Sequence, residues 1–230
     1  MAQRIERFAG IVGRKPIHLL SPDERKKVPE MKDLHIDIGA ADGDDARSVV
    51  RVGDVAVISG EPLEVRSGRV ASRSMDNRLG CYVAMEATRL VAEAGGAAGD
   101  VIAVAAVQEE ITFGGARTIA HRLQPDAAIV IDVTHATDAP GIDEKELGKH
   151  HMGSGPVIER GSVLHPRISE LLLDTAAGKD IPHTVAASAG RTGTDADAIH
   201  FSRDGVPTGV VSLPLRYMHS PVELVQIEDV

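Results

Sequence analysis

The stretch Val101 to Gly115, VIAVAAVQEEITFGG, constrains the fold more than any other part of the chain. Its opening residues are apolar and uncharged, the pattern of a strand buried on both faces, as in the parallel sheets of α/β proteins. The run ends in two adjacent carboxylates, Glu109 and Glu110, followed by Gly114 and Gly115. In open α/β sheets, chemistry collects beyond the carboxyl ends of the strands, where loops bring groups together. Two negative charges there need a cation, a shared proton or water, and a solvated strand end is the plain alternative.

The pattern recurs. Ala127 to Val133 (AAIVIDV) is a second apolar run and carries Asp132; Thr208 to Leu213 (TGVVSL) is a third, followed by His219 in LRYMHSP. Asp76, in SMDNRLG, stands just before a helix-like stretch. Several carboxylates and an imidazole at element ends form a ligand set for one or two divalent metals, more than a shared proton requires.

Composition narrows the partners. The 230 residues can bury a good core, and 25 basic against 34 acidic residues give a net charge of −9. That balance argues against a nucleic-acid partner, which would demand a basic stripe, and the scarcity of aromatics and absence of Trp remove base-stacking platforms. The single Cys81 excludes an internal disulfide framework and suits a small buried hydrophobe. MAQRIERFAG has charges where a signal peptide needs an apolar core, and no run approaches the roughly 20 apolar residues of a membrane span. A soluble, cytoplasmic protein is expected, with no membrane partner.

The chain reads as two domains. Residues 1–72 hold short apolar pieces (Ile11 to Val12, Ile17 to Leu20, Leu34 to Ile38, Val55 to Ile58, Leu63 to Val65) between turn-rich, charged segments, which predicts a small β-rich barrel or sandwich. Ser21 caps a candidate short helix. Asp37, Asp42, Asp44 and Asp45 lack the spacing of a calcium loop and read as a solvated turn. Residues 73–230 are α/β. Helices are expected from Asn77 to Ala94, from Gly115 to Leu123 and from Arg167 to Ala177, and a short strand over Val185 to Ala187. The 101 run, the second helix and the 127 run would form a right-handed βαβ unit. Thr134 to Gly161 reads as a glycine-rich loop near the site, with His135, His150 and His151 as further candidate ligands or proton carriers. Thr194 with Asp197 gives a capping-box pattern for a helix that Gly205 ends, Asp195 is explained by the helix dipole, and Arg191 is a candidate carboxylate binder.

If Asp76, one of the glutamates, Asp132 and His219 hold a metal pair, zinc, cobalt and manganese all suit the donors. Two metals about 3.5 to 4 Å apart need a bridging carboxylate and make a bridging water nucleophilic. A further carboxylate must move its proton, so Glu109 and Glu110 can split the roles. The chemistry is hydrolysis of an amide or a similar bond. A glycosidase pair fits less well for want of aromatic platforms, and no G-x-S-x-G elbow is present.

In order, SMDNRLGC, VQEEITFGGA, IVIDVTHATDAPG, GSGPVI, GTDADAIH and PLRYMHSPVE resemble the self-compartmentalising tetrahedral aminopeptidases, metallopeptidase family 42, which include glutamyl and deblocking aminopeptidases. LHIDIGAADGDDARSVVRVGDVAVI is similar to the later half of that family's inserted β-barrel. The resemblance implies a zinc-peptidase-like mixed sheet flanked by helices, preceded by part of a small β-barrel dimerisation domain. It implies that Asp76 bridges two metals, that Glu110 and His219 complete one, that Asp132 helps hold the other, and that Glu109 is the general base. Arg191 and Thr194 would line the substrate side. Peptides would be the substrates, and dimers would assemble into a dodecamer. The family's remaining ligand, a histidine in a His-x-Asp segment on a strand before the β-domain, has no counterpart; His18 and His35 fall in the β-domain region. A truncated or inactive relative, or an assembly subunit, is the competing expectation.

Overall fold

The structure, a computed structural model, describes residues 7–230. The first six, part of the segment read above as lacking a signal-peptide core, lie outside the described residues. The chain divides into two units, Met1–Val57 and Ile58–Val230.

In the first unit, β1 (Ile11–Gly13) pairs antiparallel with β2 (His35–Asp37), Val12 opposite Ile36. Ser21 and Glu24 exchange hydrogen bonds, the Ser21 N–H donating to the carboxylate at 2.6 Å and the Glu24 N–H to the hydroxyl at 3.3 Å. The cap closes only a single 3₁₀ turn, Glu24–Lys26. The aspartate run forms α1 (Gly43–Val49), and Asp42 accepts from the N–H groups of Asp44 and Asp45 at 2.8 and 2.9 Å. Two strand expectations are corrected. Ile17–Leu19 is a 3₁₀ turn, and Val55 to Ile58 has no ladder partner among the described residues, which leaves its valines exposed.

The second unit is built on one mixed sheet. Its strands are β3 (Leu63–Val65), β4 (Arg69–Ser72), β5 (Ala128–His135), β6 (Val157–Gly161), β7 (Thr184–Ser188), β8 (Thr208–Arg216) and β9 (Glu223–Gln226). The order is β3-β4-β9-β8-β6-β7, with β5 on the other flank of β8. β5 runs parallel to β8 and β6 to β7, and the remaining pairs are antiparallel. β3 and β4, which the sequence groups with the first segment, are joined to this sheet through β9. The apolar alternation of β8 feeds two cores, because successive side chains point to opposite faces. On one face Val133, Leu213, Leu215 and Val225 pack against Met75, Leu79 and Val83 of α2 (Met75–Glu93). On the other, Val130 and Val210 meet Leu164 and Ala196, the latter opening α7 (Ala196–Ile199). α6 (Pro166–Gly178) covers β6 and β8. Gly80 lets α2 close on β5, since a Cβ there would lie 2.6 Å from the Ile131 carbonyl oxygen.

The run that opens the sequence reading behaves differently from expectation. Val101 to Val107 is not a strand: no neighbour among the described residues pairs with it, and Val101, Ile102, Val104 and Val107 are 39–67% exposed. The expected βαβ unit is therefore not closed here. Gln108 turns left-handed (φ 63) and starts α3 (Glu109–Thr112), so the two glutamates project from a helical turn. α4 (Gly114–Leu123) follows as expected. The expected loop between Thr134 and Gly161 contains α5 (Glu144–Leu147) and β6. α7 stops at Ile199, well before Gly205, with Asp195 rather than Thr194 at its cap position. The Asp197 carboxylate does not close a capping box but folds back onto the N–H groups of Thr192 and Gly193, at 2.8 and 3.0 Å. Among the described residues no helix is long and apolar enough to cross a membrane.

Candidate metal centre

One cavity of about 320 Å³ gathers Asp76, Glu109, Glu110, Asp132, His135, Thr194 and His219, with Glu159 and Phe113 also on its wall. Its side chains arrive from the start of α2, the turn α3, the end of β5, the approach to α7 and the β8–β9 connection.

Asp76, Glu110 and His219 each present a ligand atom, and the three atoms lie within 4.8 Å of one another. His219 Nε2 stands 3.1 Å from Asp76 Oδ2 and 3.4 Å from Glu110 Oε2. Asp132 lines the same cavity but is outside that trio. Its Oδ1 accepts from the Val133 N–H at 2.8 Å and from Asn77 Nδ2 at 3.1 Å. Asn77 Nδ2 also donates to the Ile131 carbonyl at 2.8 Å, which ties the α2 start to β5.

The backbone here is unusual. Asp76 and Asn77 depart from helical angles, and the peptide between them is cis. His219 is left-handed, with φ 61. Glu223, only 2% exposed, holds both ends: its Oε2 accepts from the Asp76 N–H at 3.2 Å and its Oε1 from the His219 N–H at 2.8 Å.

Electrostatics favour a cation. Burial pushes Asp132 up to about 8, against the opposing pull of the Val133 N–H. Burial and then the Asp195 and Glu110 charges push Glu109 up to about 7; burial and Glu110 push Asp76 up to about 6. Burial alone pushes Asp195 up to about 6, and its buried Oδ1 has no hydrogen-bond partner. Carboxylates crowded this way resist ionising together, and a divalent cation between Asp76 and Glu110 would relieve their mutual repulsion. Two carboxylates and an imidazole converging within ligand range are a donor set that fits zinc, cobalt or manganese.

The other candidates are placed elsewhere or in support. Thr194, buried, pairs its hydroxyl with Thr192 at 2.9 Å on the cavity wall. Arg191 does not line this cavity. Its Nε donates to Asp197 Oδ2 at 3.3 Å, and its guanidinium stands 6.0 Å from the Phe113 ring centre, beside a second cavity. His150 is buried against Thr184, Nδ1 to Oγ1 2.7 Å, and burial lowers its pKa; His151 pairs with Glu144. Sequence reasoning missed Asn77, Glu159 and Glu223. Only Glu223 left a trace, as an acid four residues beyond His219 in HSPVE.

The M42 glutamyl aminopeptidase family matches residues 1–230. The chain belongs to this family. A lysyl aminopeptidase of Pyrococcus furiosus is 33% identical over 239 residues, covering all of this chain and 67% of its own length. The aminopeptidase APDkam598 of the archaeon Desulfurococcus kamchatkensis superposes with a TM-score of 0.84 at 37% identity, covering 96% of this chain and 61% of that one. The Pyrococcus horikoshii TET1 peptidase, which can assemble into a tetrahedron or a large octahedral shell, gives 0.80 at 29% identity over 96% of this chain and 64% of its own. The chain thus spans 61–67% of the length of these relatives. The likeness bears out the mixed sheet flanked by helices.

Proposed function

We propose that this chain carries the catalytic centre of a metal-dependent aminopeptidase that removes N-terminal residues from peptides. The observation that supports it most is the convergence of Asp76, Glu110 and His219 beside Glu109 in one cavity, in a chain of an aminopeptidase family. Asp76, Glu110 and His219 would hold one divalent cation, and Asp76 would share a second with Asp132. Bound zinc, cobalt or manganese supplies Lewis acidity and lowers the pKa of a water in the cavity. Glu109, on the wall but outside the ligand trio, takes the proton of the attacking water and passes it to the leaving amine. Glu223 orients two of the ligand-bearing residues through their N–H groups. Thr194 lines the substrate side, and Arg191, held by Asp197, borders it.

We further propose that a second imidazole, from a His-x-Asp segment in the whole protein, completes the cation that Asp132 holds. The first unit, Met1–Val57, belongs in this reading to a dimerisation domain, while residues 58–72 belong to the catalytic sheet, and dimers build a larger closed particle in the cytoplasm. The test is hydrolysis of aminoacyl nitroanilides by the whole protein with zinc or cobalt added. Turnover that chelation abolishes and metal restores is expected. Metal-loaded protein with no turnover, or metal analysis showing no bound ion, would favour a non-catalytic family relative.

A further inference from the structure

Glu159 stands on β6 in the wall of the same cavity, 7% exposed and unused by the mechanism above. Its Oε1 accepts from the Ser212 hydroxyl at 3.0 Å and its Oε2 from the Ser188 hydroxyl at 3.3 Å. Ser212 lies opposite Asp132 in the β5–β8 register and opposite Val157 in the β6–β8 register. Strand alternation therefore puts Asp132, Ser212 and Glu159 on one face of the sheet. β8 separates the two acids, so their strands are two spacings, roughly 9–10 Å, apart. The carboxylate is within the cavity yet removed from the metal candidates.

A buried carboxylate needs a counter-charge or pays a heavy desolvation cost. Among the described residues Glu159 forms no salt bridge, and the basic groups on the cavity wall are His135 and His219. His219 is turned to Asp76 and Glu110, and Arg191 faces Asp197 outside this cavity. The two serine hydroxyls fix the carboxylate and leave each oxygen a lone pair for another donor. Burial pushes the Glu159 pKa up, and an arriving cation would reverse that penalty.

We propose that Glu159 is the specificity-determining residue of this cavity, receiving the ammonium or guanidinium of a basic side chain, so that peptides beginning with lysine or arginine are preferred. This rests on the aminopeptidase reading and adds the substrate class to it. A glutamyl preference, by contrast, would place two carboxylates in one buried space.

The experiment compares lysine and norleucine nitroanilides, which differ at the terminal ammonium, on the whole, metal-loaded protein. The kcat/KM ratio should favour lysine by roughly 10- to 100-fold, as expected for one charge-assisted bond. In Glu159→Gln the ratio should collapse toward one. A wild-type ratio at or below one overturns the proposal, as does a lysine preference that survives in Glu159→Gln. If that variant does not fold, the wild-type ratio still decides. Calorimetry with lysinamide against norleucinamide reads the pocket without turnover. Preferential lysinamide binding with no hydrolysis would reject the peptidase reading and keep the basic-group site, and equal binding would reject the site.

Discussion

Replacing Glu223 by Gln tests whether the ligands are held by the fold or merely near each other. Each carboxylate oxygen accepts one N–H, from Asp76 at 3.2 Å and from His219 at 2.8 Å. An amide keeps one acceptor and turns an NH₂ donor toward the other N–H. One charge-assisted bond, worth about 1.5–3 kcal/mol, is lost. His219 sits at φ 61, a conformation that costs a non-glycine residue about 1–3 kcal/mol, so its anchor also offsets local strain. A loss of about 2–3 kcal/mol corresponds to a melting temperature lower by about 4–12 °C in a chain of this size. Metal affinity should fall roughly 10- to 100-fold, as for other residues that orient ligands. The Glu223 charge also helps raise the Asp76 pKa, so its removal would ease the ionisation of Asp76 while taking away a negative charge that attracts the cation. Burial and Glu110 are the larger causes of that shift, so positioning should dominate. Scanning calorimetry and metal titration read the two quantities separately. A lower melting temperature with unchanged or higher metal affinity would refute the positioning role.

Glu109→Gln should retain the metal content of the wild type and lose roughly 10²–10⁴ in kcat, checked by elemental analysis beside steady-state kinetics; loss of the metal would reassign the base. Without metal, the raised Asp76 and Asp132 carboxyls hold protons more tightly folded than unfolded, so stability should fall as pH rises from about 4 towards 8. Zinc should cancel that fall, and a flat thermal-unfolding profile under chelation would contradict the crowding of acids. Gly80→Ala puts a Cβ 2.5 Å from Asn77 Oδ1 and 2.6 Å from the Ile131 oxygen, and should cost about 1–3 kcal/mol in denaturant unfolding by lifting α2 from β5.

The helices α2, α4 and α6 and the strands β5, β7 and β8 were readable because their apolar spacing answers to local geometry and to burial at once. Val101 to Val107 carries the same apolar signal but lacks a ladder here, since a strand is defined by its neighbour and a sequence window contains none. β6 was hidden because Gly155 and Pro156 before it and Gly161 at its end give a loop signature that a five-residue strand does not outweigh. At the site, Asp76, Glu110 and His219 were legible as acids and an imidazole at element ends. Glu223 and Glu159 were not, because their importance lies in which N–H or hydroxyl each one meets across the sheet.

Asp76 and His219 belong to opposite ends of the second unit, and Glu223 couples them only once β9 has joined β4 and β8. During synthesis every acid of the trio emerges long before its imidazole does. On the proposed metal reading, a nascent chain has nowhere to seat the ion with the affinity of the finished protein, and uptake would follow the folding of the His219 segment. Hydrolytic capacity would be withheld from half-made molecules, a safeguard that needs no separate inhibitor.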